Sequence, residues 1–558
     1  MSEIRPSRRD VLRATGLAAA AVGGANLLPP THANATPAAS TSTARTISAT
    51  TPAASARTAA ASGVDYTARA TFDAWDRLFQ QGGPGQPDQP NDNTNRDGRS
   101  GMLAWSQSYV LLGLVRMYET HRDTHYLDRL IDNIDQVLAV RDSERGVTDY
   151  RGLSQPAWRA DHPYTTGYAT LADSNNQPLL DLREALTYAE DTTVTVSAGT
   201  RPDTFTVKLV NTFVNRAVTL TDLSLDPASP DYAVTRIYAA APGPLQLTAV
   251  DRRPAPHPTS GPGDLPRLGT YEMHCRRPVI FAVHTGMITY PIASFVRIVL
   301  SSPVLRRRYQ RKAAEYLQAC REAVAVHDWE YRDAGHLVWP KGQPLAYDGC
   351  EQPINQSVGL GQTMVELALI TGDREYRRKV AAMGRMMSAQ LTADAGDAYL
   401  WHYWPTGGRI YDGFTKTGDP ATDVSIFTPS GGPARQFEDI SHGAIDVEFA
   451  VRAFRAKLAF TGRDLTRIAR TFTQNVATTD ADGLPAVHTT VAGGTIGAAS
   501  VAHQAPRWMQ ITPWDRNVHA HCLALYNRYQ PTPERDGQQA IGFGWLLANV
   551  AYLNWGAK

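Results

Sequence analysis

Three stretches of this chain repeat one pattern, and that repeat limits the fold more than any other feature. Residues 108–138, SYVLLGLVRMYETHRDTHYLDRLIDNIDQVL, read as an apolar helix, a tight turn and a second helix. Residues 363–387, TMVELALITGDREYRRKVAAMGRMM, and 449–476, FAVRAFRAKLAFTGRDLTRIARTFTQNV, read the same way. Each turn carries an Asp, in HRDTHY, TGDREY and TGRDLT. A helical hairpin of this kind buries its apolar face only by stacking on neighbours. Counting the flanking material, roughly eleven helices are expected. The last of them, QQAIGFGWLLANVAYLNW, closes the chain. The expected fold is mainly α: an (α/α) toroid, or barrel, of helical hairpins. An open right-handed solenoid of the same hairpins is the structural rival.

One interval breaks the helical pattern. Residues 191–254 contain TVTVSAG, TFTVKLVNT, AVTLTDLSL, YAVTRIYAA and LQLTAVDRR, in which apolar and polar residues alternate and β-branched residues abound. They predict a small inserted β-sandwich-like module. The toroid is then interrupted, with its first part at 65–190 and its remainder at 255–558.

The N-terminus has its own logic. A basic start with Arg8-Arg9 leads into an apolar run that ends at Ala33-Asn34-Ala35, a small-x-small cleavage pattern. The motif SRRDVLR resembles a bacterial twin-arginine signal, so residues 1–35 are expected to be removed on export through the twin-arginine machinery. Residues 36–64 form an Ala/Ser/Thr-rich linker expected to be disordered. No later run looks apolar and long enough for a transmembrane anchor, which predicts a secreted or extracytoplasmic protein. The 55 Lys and Arg balance 54 Asp and Glu, leaving no electrostatic footprint for nucleic acid. Cys275, Cys320, Cys350 and Cys522 form no CxxC pair, which excludes ribbon-type zinc sites; disulfides and buried thiols both remain open.

The stretch RQFEDISHGAIDVEFAV (435–451) bears most directly on function. On a helical wheel, Val447, Val451, Phe454 and Leu458 share an arc of about 60°, a packing face. His442, Asp446, Phe449 and Ala453 share the opposite arc, expected to face a cleft, and Glu448 falls to the side. Glu438 and Asp439 precede the helix; they are candidate catalytic groups, or caps that offset its dipole. Glu438, Asp439 and His442 lack a recognised metal spacing, so no cofactor is expected, with a structural ion left open.

Four further stretches carry candidates. In GDAYLWHYWPTGGRIYDG (396–413), Trp401, Trp404 and Tyr411, crowded together with His402 and Tyr403, suit stacking on sugar rings or plug the rim of the barrel. In FAVHTGMITYPIASFVRI (281–298), His284 and Tyr290 are a candidate base and acid, and Pro291 kinks or starts a helix. Asn355 and Gln356 stand just before a helix expected near Ser357, where amides neutralise a carboxylate or cap. His519 and His521 are two apart, so they diverge on a helix. There is no GxSxG, HExxH, P-loop or dinucleotide-binding glycine motif, which disfavours α/β-hydrolases, zincins, NTPases and dehydrogenases.

The segments HTGMITYPIASF, YLWHYWP and EDISHGAIDVEFAV, set on hairpins with TGD-type turns, resemble bacterial exported proteins related to the helical C-terminal domain of D-glucuronyl C5-epimerases. More loosely, the architecture resembles the toroid of uronate-acting polysaccharide lyases. The resemblance implies an oligo- or polysaccharide partner, acidic in character, and proton abstraction α to a uronate carboxylate. That chemistry needs neutralisers of the carboxylate (Asn355, Gln356, Arg435), bases (His284, His402, His442) and acids (Tyr290, Tyr403). Asp446 and the aromatic loop would complete substrate binding. Two alternatives stand beside it. One is an (α/α) glycoside hydrolase pairing Glu438 or Asp439 with Glu351. The other is a non-catalytic glycan-binding protein.

Overall fold

The computed structural model describes residues 63–81, 101–162, 164–255, 265–536 and 542–558. The expected signal (1–35) and nearly all of the linker (36–64) lie outside the described residues.

The three repeated stretches are helical hairpins. The first pairs α2 (Ser108–His121) with α3 (His125–Ala139), after α1 (Arg69–Gln80). Arg122 takes a left-handed conformation at the turn, and the Asp123 carboxylate accepts the His125 amide at 2.9 Å. Further along come α4 (Ala233–Ala240), α5 (Ala282–Leu300), α6 (Pro303–Ala325), α7 (Ile354–Thr371) and α8 (Arg374–Gln390). In the α7–α8 hairpin, Gly372 is left-handed and Asp373 caps α8. In the third hairpin, α9 (Ile440–Arg455) precedes α10 (Gly462–Arg470), where Thr461 and Asp464 form a reciprocal capping box. The turn Asp therefore has a common cause: each one satisfies free amides where a helix begins. α11 (Asn517–Tyr529) and α12 (Gly542–Gly556) finish the chain.

Packing follows an inner and an outer set. α2 packs on α5, α5 on α7, α7 on α9, α9 on the 3₁₀ segment Ala505–Ile511, that segment on α12, and α12 back on α2. α3, α6, α8, α10, α11 and α1 pack outside them. Glycines allow the tightest crossing. A Cβ on Gly286 of α5 would lie 2.3 Å from the Gly359 carbonyl of α7. α5 is buried on nearly every side. Its length and composition suffice to cross a membrane, contrary to the sequence expectation, yet its apolar surface is covered by α2, α6 and α7. Pro291 lies inside α5 and does not start it.

Buried charges also tie α2, α5, α7 and α9 together. Glu448 accepts from Arg116 (2.9 Å) and Arg452 (3.0 Å) and from the Tyr290 hydroxyl, while Glu366 pairs with Arg297 and Arg452. Glu448, expected on a side face, is thus a buried anchor.

The β-rich module is larger than 191–254. One antiparallel sheet has the order β2 (Gly167–Ala172), β3 (Pro178–Glu184), β7 (Leu247–Asp251). The other runs β6 (Arg216–Leu223), β5 (Phe205–Asn211), β4 (Thr192–Ala198), β8 (Gly269–Glu272). A short pair, β1 (Arg159–Ala160) with β9 (Val279–Ile280), joins the module's two ends. The two larger sheets share a second hydrophobic core that includes Leu180, Leu182, Val194, Val207, Leu209 and Leu223. β2, β3 and β8 thus correct the expected boundaries. Of these, β3 escaped the alternation rule because LLDLRE is buried almost throughout. YAVTRIYAA, read as a strand, forms α4, with Ala233 and Ile237 buried four residues apart on one face. The three-stranded sheet β12–β14 (Ala477–Thr479, Pro485–Thr490, Gly493–Ile496) was not foreseen either, and β10 (Thr392–Ala393) pairs with β11 (Tyr399–Leu400). All four cysteines are buried free thiols.

Candidate functional site

The stretch that opens α9 is built around one carboxylate. Asp439 is the N-cap: its Oδ1 accepts the amides of Ser441 (2.8 Å) and His442 (3.0 Å) and the Ser441 hydroxyl (2.6 Å). Its Oδ2 lies 2.5 Å from Nδ1 of His442. Nδ1 therefore carries the donated proton, and Nε2 is the ring nitrogen left for other partners. Asp439 is both a cap and the orienting partner of an imidazole, so the two sequence readings of this residue do not compete.

The pair is electrostatically strong because it is buried. Burial alone would raise the Asp439 carboxyl, but the His442 charge and hydrogen bonds outweigh it and hold it down to about 2. Burial opposes charge on His442, yet Asp439 and then Glu438 push its proton affinity above that of a free imidazole.

Beneath the pair, Glu438 is fully buried. It accepts from Asn355 Nδ2 at 3.0 Å and from the Asp439 amide at 3.0 Å. Asp446, one turn along α9 from His442, accepts from the Trp401 indole at 2.8 Å and hydrogen-bonds Glu438. Burial raises both acids, with Asp446 pushed up to about 8, and Glu438 is raised further by Asp446 and Asp439. Burial thus favours the protonated form of both acids over that of a free carboxyl. Asp446 thus faces Trp401 and Glu438, away from the open space. Phe449, expected on the cleft face, packs on Gly361 of α7 and the Phe460 ring.

His442 meets His284, Asn355 and Gln356 around one pocket, walled by Trp105, Tyr164, Phe281, Val283, Trp339, Leu345 and Ala346. Three inner helices deliver these polar groups: α5 brings His284, the start of α7 brings Asn355 and Gln356, and the start of α9 brings His442. A π-helical turn, Leu103–Gln107, places Trp105 edge-on to His284, with ring centroids 5.3 Å apart. Burial alone lowers the His284 imidazole to about 3, so it is neutral. The proton affinities of two histidines of one pocket are thus pushed in opposite directions, which suits an acid and a base. The free space is about 30 Å³, room for one or two waters. A sugar ring enters only if the aromatic wall parts.

The remaining candidates divide clearly. Tyr403 lies edge-on to the His442 ring at 5.5 Å and accepts a hydrogen bond from Gln356; burial and the nearby acids keep its hydroxyl protonated. Trp401 and Trp404 do not offer open stacking faces. Trp401 packs on Trp508, and Trp404 packs between Trp339, Tyr347 and Tyr403. His402 points the other way from its neighbours, as alternation along an extended segment requires, and stacks on Phe437. Tyr411 lies beside His402, and Arg435 lies over Tyr411 with Asp412 as its ion-pair partner. These three form an outer cluster and are absent from the pocket wall. Tyr290 belongs to the Glu448 network on another face of α5. Glu351 lines a separate groove and is held by Arg409.

Arg507 was not singled out from sequence. It is buried on the 3₁₀ segment Ala505–Ile511, gripped by the rings of Tyr109 (4.8 Å) and Trp545 (4.7 Å), and its charge opposes that of His442. No local pattern marks it, because its partners come from both ends of the chain. The same holds for Trp105, Tyr164 and Trp339.

Ligand atoms of Glu438, Asp439 and His442 lie within 4.8 Å of one another, close enough to hold a cation. Hydrogen bonds already engage both oxygens of each carboxylate, so the trio fits proton handling better than chelation. Searches of protein-family models, curated proteins and solved structures return no match to this chain.

Proposed function

We propose that this is an exported carbohydrate-active enzyme of the lyase or epimerase type, acting on uronate-containing glycans in an (α/α) toroid. The single observation that carries the reading is the pocket shared by an Asp-paired His442, a neutral His284 and the amides of Asn355 and Gln356. The toroid is supported by the circuit of inner packing partners that returns from α12 to α2. Export is supported by the SRRDVLR motif and the Ala33-Asn34-Ala35 pattern.

The chemistry follows from the residues. Gln356 and the second amide hydrogen of Asn355 draw electron density from the substrate carboxylate and stabilise the added charge of an enolate-like intermediate. His284 takes the proton from the carbon α to that carboxylate. A bound carboxylate raises the proton affinity of His284 as it enters, because an opposite charge favours the imidazolium. In elimination, the electron pair forms the ring double bond, the bond to the leaving oxygen breaks, and His442 gives that oxygen a proton from Nε2. In epimerisation, His442 instead returns a proton to the opposite face of the same carbon. Asp439 stabilises the His442 imidazolium in either case.

The hydrolase reading has less support. Glu438 and Asp439 both already have their two oxygens engaged in hydrogen bonds. Glu351, the other proposed partner, lies in a different groove.

The test is incubation with a panel of uronate polysaccharides, following unsaturated-uronate absorbance and exchange of solvent deuterium at the α carbon. Either signal, abolished in His442→Ala, is the expected result. New reducing ends with neither signal would overturn the reading.

A further inference from the structure

A second cavity, of about 400 Å³, lies between the β-rich module and the helical body, and nothing in the chemistry above uses it. From the module it is lined by Arg216 of β6 and by the Pro242–Gln246 turn; from the body, by Tyr347, Thr428 and Ser430. We propose that this cavity is an accessory subsite that binds one acidic sugar unit of the same glycan, resting on the uronate-glycan reading above.

Four observations carry it. First, Gln246 is 6 % exposed, and its Oε1 has no hydrogen-bond partner among the described residues. A buried acceptor left without a donor costs about 1–3 kcal/mol; the Gln246 amide, which hydrogen-bonds Tyr347, would recover it by turning its oxygen toward a ligand hydroxyl in the cavity. Second, Arg216 uses Nη1 on the Pro244 carbonyl at 3.2 Å, and that bond anchors its guanidinium at the rim, where a carboxylate would meet a fixed cation. Third, Pro242, Pro244 and the Tyr347 ring present C–H and aromatic surface, which suits the apolar faces of a sugar. Fourth, the cavity adjoins the candidate active site: Leu345 and Ala346 wall that pocket, and the next residue, Tyr347, lines this one. A chain of a few sugar units that wraps this segment would reach both. A single sugar ring fits the space with room for bridging water.

The experiment measures binding, separately from turnover. Uronate-containing tetrasaccharides are titrated calorimetrically into the full mature chain carrying His442→Ala, with the same tetrasaccharides after reduction of their carboxyl groups as controls. Arg216→Ala and Gln246→Leu are then added singly. We expect the acidic tetrasaccharides to bind, each added substitution to weaken binding about tenfold, and carboxyl reduction to abolish the effect of Arg216→Ala. Arg216 is partly exposed, so its variant tests the idea even if Gln246→Leu fails to fold. Binding that neither substitution weakens, or no binding by any tetrasaccharide, overturns the subsite. Binding with these effects but no product from the His442 enzyme overturns the catalytic reading and leaves the subsite standing.

Discussion

Asp439 Oδ2 lies 2.5 Å from Nδ1 of His442, and the same carboxylate caps the helix that carries the histidine. One side chain thus fixes the ring's position, its tautomer and its charge. Asp439→Asn keeps a capping oxygen but loses the negative charge. We expect it to fold but to lose about 2–3 kcal/mol of stability near neutral pH, because the buried His442 loses its counter-charge, while turnover on the productive uronate substrate falls about 10²–10⁴-fold. Steady-state kinetics alongside thermal unfolding separates the two effects.

The same pair sets a pH dependence with a definite sign. The folded pKa of His442 is raised, so its contribution to stability is fully present below the unfolded value of about 6.5 and is lost as pH rises through the folded value. Asp439 is depressed to about 2, so its contribution is present above the unfolded value of about 3.9 and is lost as pH falls toward 2. Activity that uses the His442 proton should fall on an alkaline limb above pH 6.5. In Asp439→Asn that limb should move to lower pH. A limb that stays in place would show that His442 is not the acid.

Asp446 works in the opposite sense. Its folded value of about 8 lies above the unfolded value of about 3.9, so the parent protein loses stability as pH rises between the two. Asn at this position mimics the protonated acid and keeps the oxygen that faces the Trp401 indole. Denaturant unfolding of Asp446→Asn against the parent should show no gain near pH 3 and a gain that grows up to pH 8.

Glu448 and Tyr290 allow a control far from the pocket. Glu448→Gln leaves Arg116 and Arg452 short of a buried counter-charge, for an expected loss of about 3–5 kcal/mol. Tyr290→Phe removes only a hydroxyl from this network and should leave kcat within about twofold of the parent, with a stability loss of about 1 kcal/mol. A large kcat loss in Tyr290→Phe would return Tyr290 to the catalytic machinery.

Gly286 tests the packing that brings His284 to the pocket. A Cβ there would meet backbone of α7 at 2.3–2.6 Å, and backbone cannot rotate away. Gly286→Ala should cost about 3 kcal/mol or more and lower the unfolding midpoint by several degrees. A variant as stable as the parent would mean that the α5–α7 crossing is looser than described.

Local physics made part of this legible in the sequence. The hairpins announced themselves through apolar periodicity and a capping Asp, because both signals act within one or two turns of chain. The capping of α9 by Asp439 and the neighbouring His442 could be read for the same reason. The strands that alternate, β4 and β5, were also clear, whereas β3 is buried almost throughout and gave no alternation to read.

Tertiary structure decided the rest. The wheel gave α9 a cleft face, but the helix is buried nearly all round, so facing inward did not mean facing open space. Only the crossing of α5, α7 and α9 decided that His284, Asn355 and His442 share a pocket while Tyr290 and Asp446 do not. The aromatic loop carried the right residues for sugar stacking, yet alternation along the chain sent Trp401 and Tyr403 into the core and His402 outward. Arg507 and Trp105 had no local mark at all, since contacts between residues hundreds of positions apart depend on which helices meet. Sequence fixes what each short segment prefers; which side chains meet across a cavity is settled by close packing of the whole chain.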